Sequence, residues 1–226
     1  MHAFDLEKLS GKICVRHAKQ GESLTLLDGQ ALALDAGTLL IADDAAPLAL
    51  AGIMGGEASA VSDSTRSIVL ESAFFTPLNL AGRARRYALH TDSSHRFERG
   101  VDFELQRRAL NRATSLLVKI VGGVAGPVVE AVNEANLPQR KSITLRAARI
   151  ERVLGCAIPQ DEVLDILQRL GMTVETDDEG WQVVAPSFRF DSEIEEDLIE
   201  EVARVYGYSS LPTTLPQSGA KVHPCS

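Results

Sequence analysis

Short apolar runs closed by Gly or Asp fill the first third of this 226-residue chain, and helical periodicity replaces them after residue 76. The runs are ICV (13–15), SLTLLDG (23–29) and TLLIAD (38–43), each the length of a strand. RSIVLESAFF (66–75), rich in Ile, Val, Leu and Phe, is the strongest strand candidate. Strands gathered first and helices afterwards indicate the α+β class. Thr76-Pro77 then opens a predicted helix to about Leu89, with Thr as N-cap and Pro in the first turn. The string HTDSSHRFERG (90–100) reads as a polar loop. Asp102 is the expected cap of the next helix, whose Leu105, Ala109, Ala113, Leu116, Leu117 and Ile120 form one apolar face. Gly122-Gly123 stops it.

The polar segment NEANLPQRKS (133–142) marks a boundary, so the expected domains are 1–137 and 138–212, with an irregular tail over 213–226. The second domain reads as a strand and short helix (142–155), a helix opened by Pro159 and Asp161, and a hairpin from MTVE (172–175) and WQVVAP (181–186). A last helix, with Asp191 as its expected cap, turns Ile194, Leu198, Val202 and Val205 inward.

Composition excludes several function classes. Aromatics are only 5%, so the core must rest on Leu, Val, Ile and Ala. The longest apolar stretch, AAPLALAGIM (45–54), contains Pro47 and falls far short of the ~20 residues of a membrane-spanning helix. No membrane partner is expected. The first residues, MHAFDLEKLSGK, lack the basic flank and apolar run of a secretory signal. Cys14, Cys156 and Cys225 form no CxxC pair, which excludes a zinc ribbon and fits a reducing cytoplasm. The net charge of −8 argues against bulk affinity for DNA or RNA. Charge is nevertheless uneven: residues 83–119 hold eight Arg and one Lys against four acids, and residues 191–201 hold seven acids and no base. One basic face can meet an RNA, and one acidic segment can meet a cation or a basic partner.

Four groups of residues can carry chemistry. Glu71 lies in the middle of a strand that must be buried on at least one face; there it points to solvent, is paired, or serves a ligand. His2 and the hydroxyl-rich loop with Thr91, Ser93, Ser94, His90 and His95 form a second group, and no G-x-S-x-G elbow turns that loop into a serine hydrolase. GIMGGE (52–57) matches no phosphate-binding fingerprint and reads as a tight turn approached closely by other groups. Asp197, Glu200 and Glu201 are spaced i, i+3, i+4, so they share a helix face and repel one another. Asp191 can fold toward them from the N-terminus. Such a face is either solvated or neutralised by a hard cation such as Mg²⁺ or by a basic partner.

HTDSSHRFERGVD, ALAGIMGGE, SIVLESAFF and RFDSEIEEDLIEEVARVYGY, in this order and spacing, closely resemble the β subunits of bacterial phenylalanine–tRNA ligases. The resemblance runs from Met1 to about Pro212. It implies a mixed-sheet editing domain over 1–137, N-terminally truncated, followed by a small α/β winged-helix-like domain. Met1 corresponds to an internal position of the family, so a fragment is expected. The family works as an α₂β₂ tetramer in the cytoplasm and binds tRNA(Phe). Its α subunit uses ATP and phenylalanine, so this chain alone is not expected to aminoacylate.

The resemblance also implies site residues. His2, Glu71 and Thr91 would act in the editing pocket, with Glu71 recognising the hydroxyl of a misattached tyrosine. Gly52 and Gly55 line the same pocket. Ser93 stands where the family usually has alanine. Asp191, Asp197, Glu200 and Glu201 would form a Mg²⁺ site shared with the α subunit. Three readings follow: an editing hydrolase module, a non-catalytic fragment that contacts tRNA and the α subunit, and an unrelated metal-dependent hydrolase built on the acidic cluster. The third is disfavoured because the cluster and the His/Glu pair fall in different expected domains. An apolar synthetic pocket rejects one extra hydroxyl only ~10²-fold, so a second, hydrolytic site has a physical purpose.

Overall fold

A computed structural model describes residues 1–213 and divides the chain into two compact units, Met1–Pro138 and the residues from Gln139 onward. The expected tail lies outside the described residues except for its first position.

The first unit is built from short antiparallel strands. They are β1 (His2–Asp5), β2 (Cys14–His17), β3 (Ser23–Thr25), β4 (Ala31–Ala33), β5 (Leu39–Ala42), β6 (Pro47–Leu50), β7 (Met54–Gly55) and β8 (Ile68–Glu71). The order β2-β5-β6-β7 makes a four-stranded sheet, while β1-β8 and β3-β4 are separate pairs. Side chains alternate along β5 and β6 with period two. Leu40 and Leu50 therefore enter one core cluster with Leu24, Leu26 and Tyr87, and Ile41 and Ala49 enter a second with Phe4, Phe75 and Leu80. The Tyr87 hydroxyl accepts the Asp35 N–H at 2.9 Å and pairs with Thr38 Oγ1 at 2.6 Å, so its buried polar end is satisfied.

The helices of this unit depart from the sequence reading in three places. The single helix expected over 76–89 is two short ones, α1 (Pro77–Leu80) and α2 (Arg83–Arg86), because Gly82 takes a left-handed φ of 73° between them. The expected loop at 90–100 is instead α3 (Asp92–Arg99). Its one aliphatic or aromatic residue, Phe97, gives no periodicity to read; the helix is started by a reciprocal cap between Thr91 and Ser94. Next, α4 (Gln106–Val121) begins later than expected, and Asp102 accepts the Glu104 N–H in the turn before it. The apolar face of α4 is not covered: none of its residues is buried, and Ile120 is 76% exposed.

The second unit contains β9 (Ser142–Arg146), α5 (Ala147–Leu154), α6 (Gln160–Arg169), β10 (Thr173–Thr176), β11 (Gly180–Val184) and α7 (Glu195–Tyr206). Its antiparallel sheet runs β10-β11-β9. Trp181, Leu145, Val163, Leu167, Leu198 and Val202 form the core between sheet and helices. Here the helix spacing and the hairpin agree with the sequence. The start of α7 differs: Asp191 is not its cap, and Ile194 is exposed at the N-cap position. Asp197 supplies the cap by accepting the N–H groups of Glu193 and Ile194 at 2.9 and 3.0 Å.

Candidate functional site

Pairing of β1 with β8 sets His2 directly opposite Glu71. Cross-strand partners put their side chains on the same face of a sheet, so two polar groups from sequence positions far apart are brought together. Both line a cavity of about 230 Å³ in the first unit, together with Gly52, Gly55, Ser93 and Phe97. That volume is below the ~300–1,000 Å³ of drug-sized sites and suits a group the size of one amino-acid side chain.

One of the polar groups at its wall lacks a partner and another is held against its ordinary titration. His2 Nε2 is buried without a hydrogen-bond partner among the described residues. The His2 ring meets Phe4 edge to face at a centroid distance of 4.6 Å. Burial, reinforced by the Met1 ammonium, pushes the imidazole pKa down and favours the neutral ring. Glu71 is half-buried, and burial pushes its carboxyl up, opposed by the same ammonium. No arginine or lysine among the described residues is paired with it. A ligand that donates a hydrogen bond to Glu71 would relieve that burial.

Two glycines let the wall come close. A Cβ on Gly55 would lie 2.3 Å from His2 Cε1, so any side chain there would displace the imidazole. Gly52 has φ 67° and closes a turn in which Ile53 N–H donates to Leu50 O at 3.0 Å. Thr91 and Ser93, at the start of α3, hold this turn. Thr91 Oγ1 donates to Ile53 O at 2.9 Å, and Ser93 Oγ donates to Gly52 O at 2.9 Å. Thr91 is not on the cavity wall, and its hydroxyl also accepts the Ser94 N–H at 3.0 Å. Its hydroxyl therefore holds backbone. Of the expected pocket residues, the structure brings together His2, Glu71, Gly52, Gly55 and Ser93, with Thr91 behind them. Phe97 was missed by the sequence reading because its segment read as loop.

The acidic residues of the second unit behave differently. Glu201 is buried, and its carboxylate receives Arg189 Nη1 at 2.9 Å, Arg189 Nη2 at 2.6 Å and Arg204 Nη2. Hydrogen bonding from Arg189 is the main cause of a pKa lowered to about 2. One oxygen of Asp197 is occupied in capping α7, Asp191 pairs with Arg189 at 3.2 Å, and Glu200 is exposed. No group of three or more His, Cys, Asp or Glu able to hold a metal occurs among the described residues. The expected mutual repulsion is thus answered by arginine and by backbone N–H groups. Arg189 lies just before the acidic run in sequence and Arg204 one turn beyond Glu201, so the neutralising charges flank residues 191–201.

Comparison with known proteins follows the same division. Residues 1–122 match the B3/4 domain family and residues 143–208 the tRNA synthetase B5 domain. The chain is 57% identical over 226 residues to the phenylalanine–tRNA ligase β subunit of Methylococcus capsulatus, covering 100% of this chain and 29% of that protein. It is 60% identical over 216 residues to that of Idiomarina loihiensis, covering 96% and 27%. A solved N-terminal fragment of the Pyrococcus horikoshii phenylalanyl-tRNA synthetase β subunit aligns over 92% of this chain and 59% of its own, with 17% identity and a TM-score of 0.45.

A B3/4 domain followed by a B5 domain is the architecture of this polypeptide. The chain belongs to the phenylalanine–tRNA ligase β-subunit family, of which the curated relatives named above are between three and four times its length. No helix among the described residues is long and apolar enough to cross a membrane.

Proposed function

We propose that the cavity between His2 and Glu71 hydrolyses the ester of tyrosine misattached to tRNA(Phe), as part of a cytoplasmic, ATP-dependent α₂β₂ phenylalanine–tRNA ligase. The observation that carries this reading is Glu71: a half-buried carboxyl, without a side-chain partner among the described residues, on the wall of an otherwise largely apolar cavity. A phenol is the donor that distinguishes tyrosine from phenylalanine. A site that hydrogen-bonds a substrate hydroxyl discriminates against the analogue lacking it far more strongly than an apolar pocket can reject the hydroxyl.

In this reading Glu71 accepts the phenol, and the neutral His2 Nε2 bonds a polar group of the substrate or the attacking water. The Gly52 N–H, which has no acceptor among the described residues, is available to a developing oxyanion. No Ser or Cys is paired with a base in the cavity among the described residues, so in this reading water attacks directly and no acyl-enzyme forms. The α subunit, which would use the ATP, and tRNA(Phe) are the expected partners. The family resemblance also implies Mg²⁺ shared with the α subunit. Asp191, Asp197, Glu200 and Glu201 do not fit a cation as this chain holds them, since arginines and backbone N–H groups occupy three of the four. No step of the proposed hydrolysis uses the metal.

A second reading, a fragment that only contacts tRNA, draws on Arg85, Arg96, Arg108 and Arg112, which form no ion pair among the described residues. Incubating the chain with Tyr-tRNA(Phe) and Phe-tRNA(Phe) separates the two. Faster release of tyrosine than of phenylalanine is expected; binding of both without release supports the second reading.

A further inference from the structure

We infer that Ser93 is a positioning residue of this cavity, holding the Gly52 turn in the geometry that the pocket needs. The inference deepens the hydrolytic reading, and its kinetic arm rests on it. Gly52 sits third in a four-residue turn, Leu50 to Ile53, with a left-handed φ of 67°. A glycine there has more freedom to leave that conformation than any other residue. Nor can it be replaced, because a Cβ would approach Leu80 Cδ1 to 2.9 Å and Phe97 Cγ to 3.1 Å. Something else must restrain it.

Two hydroxyls from the first turn of α3 do so on consecutive peptides: Ser93 on the Gly52 carbonyl and Thr91 on the Ile53 carbonyl, both at 2.9 Å. Thr91 has a second task as the cap of α3, whereas Ser93 Oγ bonds Gly52 alone among the described residues. Ser93 is also the one of the pair on the cavity wall. Because its proton is committed to Gly52, Oγ can offer a ligand only a lone pair. Ser93 and an ionised Glu71 therefore both present acceptors, which favours a ligand group that donates. Loss of the Ser93 hydroxyl would free the Gly52 carbonyl and let the neighbouring Gly52 N–H swing.

The test uses the whole chain with Ser93→Ala and Ser93→Thr. Amide hydrogen exchange at Ile53 is expected to quicken about five- to tenfold in Ser93→Ala, the worth of one hydrogen bond. Exchange at Leu40, in the core, should stay unchanged, and Ser93→Thr should restore protection at Ile53. With Tyr-tRNA(Phe), Ser93→Ala should lower kcat about tenfold and move KM less than twofold, since a misaimed oxyanion donor is felt in the transition state. Unchanged exchange at Ile53 overturns the inference. So does an equal rise at Ile53 and Leu40, which would show general loosening, or a rise in KM alone, which would make Ser93 a simple ligand contact. An unsubstituted chain that releases no tyrosine contradicts the hydrolytic reading instead, and the exchange pattern then decides the role of Ser93 by itself.

Discussion

Glu71 and Glu201 are the same side chain in two units of one polypeptide, both withdrawn from water, and their carboxyls are shifted in opposite directions. Glu201 is held by Arg189 and Arg204 and titrates at about 2. Glu71 faces His2, whose imidazole is itself driven toward neutrality, and the Met1 ammonium at the cavity wall offsets its burial only in part, so the carboxyl stays shifted upward. Burial alone does not make a carboxylate functional. The partner decides: a carboxylate satisfied by arginine fastens a fold, and one left unsatisfied in a cavity waits for a donor from outside.

The largest effect expected from breaking this contrast is at Glu71. Glu71→Ala should reduce the preference for tyrosine over phenylalanine in ester release by ~10²-fold or more, measured as the ratio of kcat/KM on the two charged tRNAs. An equal fall on both substrates would assign Glu71 a role other than reading the phenol.

Next in size is the structural carboxylate. Glu201→Gln leaves Arg189 largely buried beside a neutral group and should cost about 3 kcal/mol in urea unfolding at neutral pH. Since the folded pKa lies below the ordinary 4.5, this contribution is complete above about 4.5 and is lost as pH falls toward 2. A substitution as mild as a surface change, within ~0.5 kcal/mol, would contradict the pairing.

Glu71→Gln should act in the opposite sense. The folded carboxyl titrates above its unfolded value, so its ionised form burdens the fold at neutral pH. Gln should raise stability by ~1 kcal/mol at pH 7, and the gain should vanish as pH falls into the range where Glu71 is already protonated. Comparing unfolding at pH 7 and pH 4 measures it. A loss of stability at pH 7 would mean that Glu71 is paired after all.

The smallest effect concerns arginines, to which the same contrast applies. Arg189 and Arg204 are engaged, whereas Arg108 and Arg112 form no ion pair among the described residues. If the latter meet RNA backbone, Arg108→Ala with Arg112→Ala should lower the salt slope of tRNA binding by ~0.7 per lost contact. A slope unchanged by the pair would remove α4 from the RNA surface.

Legibility in the sequence followed the kind of signal each element carries. The second unit was readable because its helices and hairpin have apolar periodicity and Gly stops: Val163, Ile166 and Leu167 are buried as spaced, and β10 and β11 pair as a hairpin. The α3 segment was not, since a polar helix is set by the Thr91–Ser94 cap and by bonds to distant carbonyls. Periodicity was also misleading in α4, where an apolar face exists without being buried. At the site, Glu71 in a strand and the close glycines were legible as anomalies. That His2 stands opposite Glu71 depends on the β1–β8 register, which no local pattern encodes. The acidic helix misled for the opposite reason: spacing gave the shared face, and the neutralising arginines stood outside the run.

One measurement bears directly on the claim that the first carboxylate is unpaired and the second is not. Side-chain carboxyl resonances of glutamate in the intact chain can be followed by carbon-detected NMR from pH 7 down to the limit of folding, with Glu71→Gln and Glu201→Gln assigning the two signals. The account predicts that Glu71 titrates above the ordinary 4.5 and that Glu201 stays ionised well below it, toward about 2. A Glu71 signal titrating at or below 4.5 would show that the cavity already holds a partner for it, and would contradict the reading of that carboxylate as the group that receives the substrate.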